Sequence, residues 1–364
     1  MTDPRLVDHR NPALTLRLAD EIKSTVTKPW NIMEICGGQT HALLQYGLDQ
    51  LLPEEIRLIH GPGCPVCVTS LEAIENALIL ANNPNVILTS FGDMLRVPGA
   101  SSDLLTARAR GADVRVVYSP LEAVNIAQAN PGKQVVFFAI GFETTVPAIA
   151  ATINHADRNH VQNFSILPAN VMVPPAMKAI LGSETRMVDA FLAAGHVCTV
   201  MGFHEYLPIA KNYRCPIVVT GFEPVDLLTG ILMAVRQLEE GRAEVENAYN
   251  RAVSLEGNQT AQAMINEVFE PVDRNWRGIG LIPRSGLGLT DKFQYFNAVS
   301  RFGLSPVPIP ESTICQAGKV LQGLIKPPQC PAFGTDCTPT KPLGAPMVSA
   351  EGACNAYFRF QRGT

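Results

Sequence analysis

The chain has 364 residues, 46% of them hydrophobic and 17% charged, which is enough apolar material for two or three well-buried domains. Its formal charge is -4 and it has no long Lys/Arg cluster, which argues against nucleic acid or an anionic membrane as its main partner. No apolar run reaches the length of a membrane span, and residues 1–5 are polar and charged where a signal peptide needs an apolar core, so the chain reads as cytoplasmic.

Asn11 and Pro12 supply an N-cap and a first-turn proline for an opening helix with Leu14, Leu18, Ile22 and Val26 on one face. A strand at 31–35 then runs into Cys36-Gly37-Gly38-Gln39-Thr40-His41 and a helix to Leu51. The pattern repeats. A strand at 56–60 meets Gly61-Pro62-Gly63-Cys64-Pro65-Val66-Cys67 and a helix over 69–82 capped by Thr69 or Ser70, followed by strands at 86–90 and 114–118 with helices at 103–110 and 120–130. A first α/β domain over 28–132 follows from this series. After Asn130-Pro131-Gly132 a second domain, 133–240, is expected from strands at 135–140, 164–167, 197–201 and 217–220, a helix over 147–159 and a long helix to Glu240.

Strands alternating with helices at these lengths predict an α/β fold of two similar parallel-sheet domains facing a cleft. In such sheets ligands bind beyond the carboxyl ends of the strands, where each unusual loop of this sequence falls. From residue 241 the texture changes to a helical stretch ending at 269, a Gly/Pro-rich region over 277–310 and a tail with four cysteines. Residues 1–27 and 241–364 are expected to form a third, mostly helical and loop-rich domain.

Nine cysteines in a reducing compartment point to metal or redox chemistry rather than structural disulfides. Cys64 and Cys67 stand at a strand-to-helix turn, where free amide groups and the helix dipole favour a thiolate suited to reversible disulfide formation or metal binding. A zinc site there would recruit Cys36 with His41 or His60. Cys36 follows a strand and precedes two glycines that let backbone approach a ligand closely, and His41 is a candidate proton donor for whatever Cys36 holds. Burial as small apolar side chains is the alternative for each of these thiols.

Cys315, Cys330, Cys337 and Cys354 are separated by 14, 6 and 16 residues. Structural zinc sites use close ligand pairs, so this dispersion favours a four-iron cluster, which would also order a proline-rich tail. Cys198 and Cys215 read as core residues. Asp93, Glu143, His204 and Glu223 fall on loops beside the cleft, each equally readable as a cap or a solvated residue.

Through Met33-Glu34-Ile35-Cys36-Gly37-Gly38-Gln39-Thr40-His41, residues 60–67, 90–99 and 141–145, and the tail from Cys315 to Tyr357, the chain closely resembles the hydrogenase expression/formation protein D family. That family is the iron–sulfur scaffold of nickel–iron hydrogenase maturation. The resemblance implies a third domain holding a 4Fe-4S cluster on Cys315, Cys330, Cys337 and Cys354. It also implies a complex with a small maturation chaperone, protein C, on which an iron atom receives carbonyl and cyanide ligands, the cyanide arriving through proteins E and F. Cys36 would be an iron ligand shared with the partner's amino-terminal cysteine, and Cys64 and Cys67 a thiol–disulfide relay to the cluster. Two rival readings are a free-standing thiol–disulfide oxidoreductase with a structural zinc site and a docking platform with an inert C-x-x-C.

Overall fold

A computed structural model describes residues 8–305, 309 and 314–360. The polar residues 1–5 and part of the Gly/Pro-rich stretch lie outside the described residues. Helix α1, Pro12–Thr25, starts as its sequence demands: Asn11 Oδ1 accepts the Leu14 amide hydrogen at 3.0 Å, and Pro12 occupies the first turn. Ala19 and Ile22 of α1 pack with Leu227, Leu228 and Ile231 of the helix Pro224–Glu240 over the first sheet. This helix therefore shares the first sheet's core rather than joining the tail.

The first sheet contains β1 (Trp30–Glu34), β2 (Ile56–His60), β7 (Ala190–Ala194), β8 (Ile217–Thr220) and β9 (Val245–Asn247), all parallel, in the order β2-β1-β7-β8-β9. The second contains β3 (Val86–Ser90), β4 (Val114–Val116), β5 (Gln134–Gly141) and β6 (Phe164–Asn170), also parallel, in the order β4-β3-β5-β6. Both sheets wind the same way: the second strand lies on one side of the first, and the later strands on the other. The α/β class and the parallel sheets are as the sequence predicts.

Strand pairing runs across the expected boundary between residues 132 and 133, because β3 pairs with β5 from Val86 opposite Gln134 to Thr89 opposite Phe137. The chain leaves the first sheet after β2, builds the whole second sheet, and returns to the first at β7. Each strand carries its own apolar run but nothing that names its neighbour, so a reading in chain order groups the strands contiguously.

Two local expectations change. Residues 197–201, rich in β-branched side chains, belong to the helix Gly195–Met201, and the strand is the alanine-rich β7 just before it. Placement between β1 and β8, buried on both faces, overrides the local propensity. The third region also carries an antiparallel hairpin, β10 (Phe269–Trp276) with β11 (Gly280–Leu289), and its first stretch holds β9 and one helix, Gln259–Val268. Among the described residues no helix is long and apolar enough to cross a membrane.

Candidate functional site

In a doubly wound sheet the crevice lies where the strand order reverses, which in the first sheet is between β1 and β7. Cys36 follows β1 as the N-cap residue of helix α2 (Gly37–Gln45), and His196 follows β7 in the first turn of its helix. Their side chains meet there, with Cys36 Sγ 3.8 Å from His196 Nδ1. The ring of Phe222, just past β8, packs on the imidazole at a centroid distance of 5.2 Å.

The Cys36 thiol is buried, and burial pushes its pKa up to about 12, with the negative charge of Glu351 adding to the effect. Hydrogen bonds from the Gln39 and Gly38 amides act the other way and are outweighed. The helix start therefore does not leave Cys36 as a resting thiolate. Burial also lowers His196 to about 4, so at neutral pH a protonated thiol faces a neutral imidazole.

The second thiol turn lies directly against the first. Gly37 N–H donates to the Gly63 carbonyl at 3.0 Å, and a Cβ placed on Gly63 would run into the backbone of Cys36. A Cβ on Gly37 would meet the Glu351 carbonyl and come within 3.1 Å of Cys64 Cβ. Only glycine allows this approach of two backbones. Cys64 is the N-cap residue of helix α3 (Pro65–Val68), with Pro65 in its first turn, and Cys64 and Cys67 form a disulfide with their Cα atoms 5.2 Å apart. Helix α4 (Leu71–Ala81) follows at once, and its cap is Ser70 rather than Thr69.

The histidines considered as zinc ligands for these thiols have other partners. His41 Nδ1 donates to the Ala350 carbonyl at 2.9 Å, and its ring meets Phe360 edge-on. His60 lies between Glu34 and Tyr357. Among the described residues no three His, Cys, Asp or Glu side chains are grouped so that they could hold a metal ion.

Cys315, Cys330, Cys337 and Cys354 instead ring one small hollow, walled by apolar groups including Val320, Phe333, Leu343 and Met347. Burial raises the Cys315 and Cys354 thiols, and the other tail cysteines raise each of them further, as expected for thiols facing a shared space. The Leu343 amide donates to Cys337 Sγ at 3.3 Å. The turn Ala345–Met347 separates this hollow from the disulfide, because α3 packs on that turn while Pro346 and Met347 line the hollow.

The family model HypD, described as "Hydrogenase formation hypA family", matches residues 13–361. The chain is 47% identical to the hydrogenase expression/formation protein HupD of Azotobacter chroococcum mcd 1, over 98% of this chain and 96% of that protein. It is 44% identical to the hydrogenase maturation factor HypD of Escherichia coli (strain K12), over 98% of both chains, and 46% identical to HypD of Azotobacter vinelandii, over 98% of this chain and 96% of that one. The chain belongs to the HypD family.

In this HypD-family chain the remaining loop residues divide by position. Asp93 lies 3.6 Å from Arg96, whose guanidinium donates to the Val348 carbonyl at 3.1 Å and so ties the loop after β3 to the tail. Glu143 is buried and accepts from the Val173 amide at 2.9 Å, while its second oxygen has no partner. Glu223 caps the helix Pro224–Glu240 and pairs with Arg10. His204 is exposed on a turn. His196, Phe222 and Glu351 escaped the reading of the sequence. His196 had a usable signal, since Ala194-Gly195-His196 follows an apolar strand just as Cys36 does.

Proposed function

We propose that this chain is a hydrogenase maturation factor, a cytoplasmic scaffold on which iron destined for a nickel–iron hydrogenase is held while it receives cyanide and carbonyl ligands. The relatives named as maturation factors support the role, and the observation that carries the finer reading is the contact of Cys36 with His196 at the switch point of the first sheet. A thiolate is the soft donor that low-valent iron prefers. Cys36 must lose its proton to become one, a loss that binding of a cationic metal drives, and the neutral His196 nitrogen at 3.8 Å is placed to relay that proton rather than to keep it. The family resemblance supplies the partners: the small chaperone protein C, whose amino-terminal cysteine would share the iron, and proteins E and F, which would deliver cyanide.

Cys64 and Cys67 exchange two electrons between the disulfide and dithiol forms, beside the Cys36 turn. Four thiols around an apolar hollow, with an amide aimed at one sulfur, suit a 4Fe-4S cluster held by Cys315, Cys330, Cys337 and Cys354. Such a cluster supplies one-electron chemistry.

Infrared spectroscopy of the anaerobic complex with the small chaperone tests this reading. Cyanide and carbonyl stretches are expected in the wild type and lost in Cys36→Ala; unchanged bands in that variant would remove Cys36 from the iron site.

A further inference from the structure

We infer that Tyr357 is a positioning residue for the Cys64–Cys67 couple, acting through His60. Glu34 and His60 are the last residues of β1 and β2 and lie opposite one another in register. His60 Nδ1 is in close contact with Glu34 Oε1, the Thr40 hydroxyl donates to that same oxygen at 3.0 Å, and His60 Nε2 lies 2.8 Å from the Tyr357 hydroxyl. All four residues are at least 96% buried. Water therefore cannot replace a lost partner, and removing the phenol leaves a buried imidazole nitrogen unpaired.

The position of His60 fixes that of Cys64. Only Gly61, Pro62 and Gly63 separate them, and that link is held by Gly61 N–H on the Glu34 carbonyl at 2.9 Å and Gly63 N–H on the Gly61 carbonyl at 2.8 Å. Cys67 follows one turn on, its amide bonded to the Cys64 carbonyl at 3.0 Å, and the helix α3 that holds it packs on the turn Ala345–Met347 of the tail. Tyr357 belongs to the tail helix Ala353–Phe360, three residues beyond Cys354. Its bond to His60 ties the strand end that carries Cys64 to the segment that supports Cys67. By fixing the strand end that leads into Cys64, the network limits the freedom that closing the disulfide must remove, so losing the hydroxyl loosens the dithiol and disfavours the disulfide relative to it.

The inference rests on the proposed redox use of this pair. The reaction that measures it is reduction by a small dithiol: the protein S–S bond breaks, the dithiol closes its own S–S bond, and two hydrogens pass to Cys64 and Cys67. The full-length protein is equilibrated anaerobically in dithiothreitol buffers of graded ratio, and the Cys64–Cys67 state is read by alkylation and peptide mass. Tyr357→Phe is expected to shift the equilibrium about tenfold toward the dithiol, about 30 mV for two electrons. His60→Gln is expected to shift it in the same direction, and the double variant no further than His60→Gln alone. A Tyr357→Phe curve superimposed on the wild type, or additive shifts in the double variant, would overturn the positioning role. A wild-type pair that never titrates would overturn the redox reading and this inference together.

Discussion

Cys36 Sγ and His196 Nδ1 meet 3.8 Å apart at the reversal point of the first sheet, each delivered by the strand end behind it. With the thiol pushed up to about 12, its thiolate fraction at pH 7 is on the order of 10⁻⁵, against a few per cent for an ordinary cysteine. Alkylation of Cys36 by iodoacetamide in the isolated protein at pH 7 is therefore expected to run about 1000-fold slower than that of free cysteine and to keep rising past pH 10. A rate that levels off near pH 8 would contradict the burial argument. His196→Phe keeps an aromatic ring but no proton acceptor, and is expected to cut anaerobic capture of ferrous iron with the small chaperone at least tenfold, read as iron per chain.

Gly63 is pressed against backbone rather than against a movable side chain. A Cβ there would meet Cys36 N and Cα and the carbonyl carbon of Ile35, so neither turn can give way without moving a strand end. Gly63→Ala is expected to lower stability in urea by about 1–3 kcal/mol, the usual range for overpacking. Gly132→Ala, where the new methyl meets nothing within 4 Å, is the control and is expected to fall within about 0.5 kcal/mol of the wild type.

The glycines around Cys36 and Cys64 made both turns legible, because close backbone approach leaves a signature in the sequence itself. The alternating strands and helices likewise announced parallel sheets. Partnership was not legible. Nothing local in the run at Ala190–Ala194 says that it returns to lie beside β1, so neither the interleaving of the two sheets nor the pairing of Cys36 with His196 can be read from either segment alone. Tyr357 and Glu351 are similar cases, since their roles depend on where the tail docks, and in isolation one looks like an ordinary helix residue and the other like an ordinary helix-flanking one. Cys198 and Cys215 were readable as core, and both are fully buried.

The shared hollow makes a sharper prediction than the count of cysteines does. Replacing any one of Cys315, Cys330, Cys337 or Cys354 with alanine is expected to reduce bound iron and acid-labile sulfide to under about a quarter of wild type after anaerobic purification, since all four thiols line one space. Cys198→Ala and Cys215→Ala, buried in the first sheet's core, are expected to leave both contents unchanged. Stoichiometric zinc with neither iron nor sulfide in the wild type would favour the oxidoreductase reading instead.

Glu143 gives the fold a dependence on pH. Its carboxyl is raised to about 7, first by burial and further by Glu205, while the Val173 amide and its own backbone amide oppose the rise. Cys198 and Tyr206 also face it. A free glutamate titrates near 4.3, so the folded chain holds a proton that the unfolded chain has released between roughly pH 4.3 and 7. The stabilisation from the neutral form is complete below the unfolded value and is lost as pH rises through the folded one, a loss on the order of 3 kcal/mol by pH 8. Glu143→Gln keeps an acceptor for the Val173 amide and removes the titration. Urea unfolding midpoints of the wild type are expected to fall between pH 5 and pH 8 more steeply than those of the variant, leaving Glu143→Gln the more stable protein at pH 8. Parallel pH profiles for the two proteins would show that the Glu143 carboxyl is not held neutral by its surroundings.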